Sequence, residues 1–109
     1  MIISIMELTP TSEKRQAVLE ILRFTEDRAR IKAGCMGCGV YEASDESGTI
    51  LYMEQWRSRE DLHRYIQSSL YLGILNAMDL GQEPPEISFH QVLDTESREL
   101  IEALRSSEG

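Results

Sequence analysis

Between Thr49 and Leu80 the spacing of apolar positions changes period. Ile50, Tyr52, Glu54 and Trp56 fall on one side of an extended chain, and Leu51, Met53 and Gln55 on the other. Apolar bulk on both sides predicts a strand covered by helices on one face and by a partner sheet on the other. Ser58-Arg59-Glu60-Asp61 then reads as a capping box that opens a helix with acidic residues in its first turn. Leu62, Tyr65, Ile66, Leu70, Tyr71, Ile74, Leu75 and Met78 continue at helical spacing until Gly81 and Pro84-Pro85 end the run. Gly73 marks a bend between two helical segments.

The flanking segments support that unit. Ile2–Leu8 reads as a first strand, with Thr9-Pro10 as the cap and first position of a helix. From Ser12 to about Lys32, Val18, Ile21, Leu22, Thr25 and Ala29 recur at helical spacing, and Gly34 offers a C-cap. Gly34–Gly39 is expected to turn the chain into a second strand at Val40-Tyr41, and SDESG (44–48) to close a hairpin onto the strand at 50–56. Glu86–Leu93 alternates as a fourth strand, and Leu100, Ile101 and Leu104 mark a short helix over about 95–105. The order β-α-β-β-α-β with an added C-terminal helix is that of a ferredoxin-like α+β fold, one domain over 1–109 with its core in 1–93. The helices leave one sheet face uncovered, so a second copy is expected there, making a two-fold homodimer.

Composition narrows the partners. Eleven basic against 19 acidic residues give a net charge of -8, which repels phosphate backbones and anionic bilayers and argues against nucleic acid and membrane. The chain lacks an apolar run of membrane-spanning length, and MIISIMELTP lacks the basic start and long apolar core of a signal peptide, so a cytoplasmic location is expected. Two cysteines fit reduced thiols better than a disulfide framework.

Gly34-Cys35 and, above all, Glu54-x-Trp56-x-Ser58-x-Glu60-x-Leu62 resemble the antibiotic biosynthesis monooxygenase family of the dimeric α+β barrel superfamily, over Met1 to about Leu93. The resemblance implies a dimer whose subunits each keep a pocket between sheet and helices. It implies, for some members, oxidation of aromatic or quinol substrates by molecular oxygen with no metal or flavin cofactor, and for a close branch haem degradation. The chain departs from the family at several positions. Tyr65 stands where many members carry a His after the Trp-x-Ser motif, and His63 lies on roughly the opposite helical face. Leu75 stands where the haem-degrading branch carries its iron ligand. Tyr52 stands where some oxygen-using members carry an Asn.

The candidate substrate-binding residues are Tyr52, Trp56, Tyr65 and Asn76. The three aromatic residues either sandwich a flat substrate, with the phenols binding its oxygens, or pack as ordinary core; Asn76 would add a hydrogen bond at the pocket end. Glu54 shares the face of Trp56 and is costly to bury unpaired, so it belongs near an arginine or at the pocket. Cys35-Met36-Gly37-Cys38 follows a helix C-terminus, where the dipole disfavours a thiolate, and reads as a turn; no further ligands converge to make it a metal site. His63 reads as solvated, and His90 faces either the pocket or the dimer interface. No residue stands out as a catalytic base. The sequence therefore points to a cofactor-independent monooxygenase acting on a small aromatic or quinol substrate. The alternatives are a non-catalytic dimeric ligand-binding or regulatory domain of the same fold and, third, a haem-degrading relative.

Overall fold

The computed structural model describes residues 1–106. Its elements run β1 (Ile2–Leu8), α1 (Arg15–Ala29), β2 (Cys35–Glu42), β3 (Ile50–Trp56), α2 (Arg59–Ile66), a single 3₁₀ turn (Ser69–Tyr71), α3 (Leu72–Asp79), β4 (Glu86–Gln91) and α4 (Arg98–Ser106). The four strands form one sheet in the order β2-β3-β1-β4, every neighbouring pair antiparallel. This is the expected ferredoxin-like α+β arrangement.

Strand alternation assigns the two faces. Ile2, Ser4, Met6 and Leu8 of β1 and Ile50, Tyr52, Glu54 and Trp56 of β3 are buried under α1, α2 and α3, while Ile3, Ile5, Leu51 and Met53 lie half-exposed on the other face. From α1, Val18, Leu19, Leu22, Thr25 and Ala29 complete the core, a stripe at helical spacing. Ion pairs tie the β2 edge to α1: Arg15 and Arg23 both reach Glu42, at 2.8 and 3.3 Å. Glu26 accepts a hydrogen bond from the Val40 backbone N–H at 2.8 Å.

Several boundaries differ from expectation. Pro10 does not begin a helix; it forms an isolated bridge to Gly81, and α1 starts at Arg15. The bend in the second helix comes at Gln67–Ser68, where the Ser68 backbone N–H donates to the Tyr65 carbonyl and the helix ends before the 3₁₀ turn. Gly73 has another role. A Cβ there would sit 2.6 Å from the Thr25 hydroxyl, so glycine lets α3 lie close against α1. Residues 35–39 are not a turn but part of β2, with a bulge at Met36: Cys35 pairs with Trp56, and the next pair is Gly37 with Gln55. The glycines that suggested a turn instead serve a bulged edge strand. β4 ends at Gln91, and α4 begins at Arg98.

Candidate functional site

Ser58 opens α2 as the sequence indicates: its extended backbone sets the cap, and its hydroxyl accepts from the Asp61 backbone N–H at 3.2 Å. The same hydroxyl donates to the Asp61 carboxylate at 2.8 Å, which holds that carboxyl below the usual range, helped by Arg57 and Arg64. Gly34 makes this junction possible. Its φ is +87°, its carbonyl accepts from the Arg57 N–H at 2.8 Å, and a Cβ would strike the Asp61 side chain at 2.2 Å. The cap thus fixes where α2 crosses β3, and with it where Tyr65 lands.

Tyr65 lands on Trp56. The rings stack with centroids 4.6 Å apart at 29°, and Tyr71 from the 3₁₀ turn meets Tyr65 edge-on at 5.2 Å and 86°. Beside them lies Glu54, only 2% exposed. The Tyr65 hydroxyl donates to one carboxylate oxygen at 2.5 Å, and the Trp56 indole N–H reaches the other at a long 3.4 Å. Of the two places expected for Glu54, beside an arginine or at the pocket, the first does not occur: none of the ion pairs among the described residues involves it. Burial without a cation pushes the Glu54 pKa up, and the hydrogen bonds from Tyr65 and Trp56, with the Tyr52 hydroxyl nearby, oppose that rise only in part. Burial, then the charge of Glu54, pushes the phenols of Tyr52 and Tyr65 far above their ordinary value, and Tyr71 up to about 12. All three stay neutral donors at physiological pH.

The Tyr52 hydroxyl is the one buried side-chain polar atom without a hydrogen-bond partner among the described residues. It sits near enough to Glu54 and Tyr65 for both to influence its ionisation, yet it satisfies neither. A protonated Glu54 would bring an O–H donor into this group, whereas the ionised form only accepts. The cluster is therefore equipped to take up a proton.

The structure brings Tyr52, Trp56 and Tyr65 together, and seals them. Trp56 has no accessible surface and Tyr52 has 3%, so no water-sized space adjoins the indole. Asn76 is elsewhere. It is exposed on α3 and lines an outward groove of about 440 Å³ with Glu20, Phe24 and Leu70. Tyr71 was legible only as one apolar position of a helical stripe; its edge-on contact depends on the 3₁₀ turn, which the stripe does not reveal.

The remaining candidates separate cleanly. His63 is exposed, and His90 lies on the open sheet face, its Nε2 2.8 Å from the Ser88 hydroxyl. The bulge turns both cysteines toward the helices, Cys35 opposite Trp56 and Cys38 opposite Glu54. Burial, then the neighbouring Cys35, pushes the Cys38 thiol up to about 12, the opposite of a reactive thiolate. Among the described residues no group of His, Cys, Asp and Glu is arranged to hold a metal ion, and no helix is long and apolar enough to cross a membrane.

The family model described as antibiotic biosynthesis monooxygenase matches residues 1–76. The chain belongs to the antibiotic biosynthesis monooxygenase family. The matched span holds the whole Glu54 cluster and stops short of β4 and α4. Among solved structures, a protein of Mycobacterium tuberculosis is 25% identical, with a TM-score of 0.79 and 88% of this chain and 98% of that one covered. A candidate antibiotic biosynthesis monooxygenase from Deinococcus radiodurans is 19% identical, with a TM-score of 0.80 over 89% and 97% of the two chains. A conserved protein of unknown function from Bacteroides thetaiotaomicron shares the fold at 13% identity, with a TM-score of 0.77 over 84% and 96%. No curated protein matches the chain. Membership of this monooxygenase family sets the type of fold and leaves the substrate open.

Proposed function

We propose that the chain is a cofactor-independent monooxygenase for a small phenolic or quinol substrate, working as a homodimer paired through its open sheet faces. The observation that carries this reading is the buried Glu54 carboxyl, without a cation and ringed by Tyr65, Trp56 and the unpartnered Tyr52 hydroxyl. A flat ring displacing Tyr65 from Trp56 would meet this group. Glu54 would take the phenolic proton and leave an electron-rich ring. A ring carbon would bond oxygen to give a hydroperoxide; loss of that carbon's hydrogen as a proton and cleavage of the O–O bond would yield a carbonyl and water. Tyr52 and Tyr65 would hydrogen-bond the substrate oxygens. Entry requires α2 and the 3₁₀ turn to move, and the helix is already interrupted between them.

Oxygen uptake tests the proposal. With a panel of hydroquinones, wild type should consume oxygen, and Glu54→Gln should lose at least ten-fold in rate while keeping its circular dichroism spectrum. The sealing of Trp56 favours a second reading, a non-catalytic dimeric ligand-binding or regulatory domain. Absence of uptake across the panel would overturn the enzyme and leave that reading.

A further inference from the structure

α4 presents Leu100, Ile101, Ala103 and Leu104 along one side and buries none of its residues; Leu100 is 40% and Ile101 61% exposed. A nine-residue helix makes too few hydrogen bonds to persist alone in water, so it needs a packing surface. The chain's shape agrees: its Cα radius of gyration is 16.5 Å and its extents 53 × 36 × 21 Å, whereas a compact chain of this length would have a radius of about 13 Å. The irregular segment 92–97 carries α4 away from β4, with Leu93 91% exposed.

The open sheet face supplies a matching surface at its acidic end. Ile3, Ile5, Leu51 and Met53 are half-exposed on it. At its end Glu7 and Glu86 are register partners, both exposed, and neither belongs to an ion pair among the described residues. Like charges directly opposite each other destabilise a sheet. On α4, Arg98 and Arg105 are seven residues apart and therefore share one flank of the apolar stripe.

We infer that α4 is an exchanged arm: residues 92–106 of one copy lie on a second copy of this chain. Leu100 and Ile101 extend the apolar contact beside the paired sheets, and Arg98 and Arg105 face the Glu7/Glu86 pair. Nine residues at ~1.5 Å each match about three strand spacings of ~4.8 Å, so the helix can span the end of the partner's sheet, where Glu7 and Glu86 lie. A second copy fits better than an unrelated partner because one two-fold contact covers both exposed arms and neutralises both acidic pairs at once. The inference rests on the sheet-face pairing proposed above and adds the arm to it.

Sedimentation velocity across micromolar concentrations separates the two claims. Ile101→Glu should weaken the dimer at least ten-fold with an unchanged circular dichroism spectrum. Arg98→Glu with Arg105→Glu should weaken it similarly, and adding Glu7→Lys with Glu86→Lys should restore it. If Met53→Glu dissociates the dimer while Ile101→Glu and the double Arg variant leave it intact, the sheet pairing stands and the arm is overturned. A wild type that stays monomeric overturns both.

Discussion

The two faces of one sheet differ in what finishes them. Ser4, Met6, Tyr52, Glu54 and Trp56 point toward the helices, where α1, α2 and α3 bury them and even a carboxylate is enclosed. Ile3, Ile5, Leu51 and Met53, one residue out of phase on the same strands, have no covering layer among the described residues and stay half-exposed. The alternation of β1 and β3 makes both faces sticky, but the chain has helices for only one of them. The covered face is therefore where substitutions should unfold the protein, and the open face where they should change its associations.

The largest effect should come from Trp56→Ala, which empties the centre of the covered face and removes the stacking partner of Tyr65; a loss of ~3–5 kcal/mol is expected in urea unfolding. Tyr65→Phe keeps the ring and deletes the donor to Glu54, so it should cost ~1–3 kcal/mol by the same measurement. Glu54→Gln should act through pH. Because the folded protein holds the Glu54 proton to higher pH than the unfolded chain does, this group withdraws stability as pH rises from the ordinary carboxylate pKa of ~4.3 through the raised one, at ~1.4 kcal/mol per unit of the rise. Melting temperatures should accordingly fall across that window in wild type and fall less in Glu54→Gln. The smallest effect should be that of Met53→Gln on the open face, within ~0.5 kcal/mol for the protomer. A larger protomer loss there would erase the contrast between the faces.

Much of the covered face was legible. Period-two alternation at 50–56 and the Ser58 cap locate β3 and the start of α2, and Glu54, Tyr52 and Trp56 already stand on one strand face. Where Tyr65 meets that face was less legible, because it depends on Gly34 admitting Asp61 and on α2 ending at Ile66. Asn76 shares a broadly apolar helical run with Tyr65, but the 3₁₀ turn re-phases α3 and sends it to the outer groove. The C-x-x-C motif misled for a local reason: three nearby glycines resemble turn chemistry, and a β-bulge uses the same permissive backbone.

The sequence alone determined the element order, the strand faces and the acidic surface, since these follow from side-chain period and charge and need no distant contact. Tertiary structure alone decided that Glu54 meets two donors, the Tyr65 hydroxyl and the Trp56 indole N–H, instead of an arginine, that the cluster is sealed, and that α4 stands clear of the body. Those features arise where segments far apart in the chain meet, and one-dimensional spacing carries no information about the angle at which one helix crosses a strand.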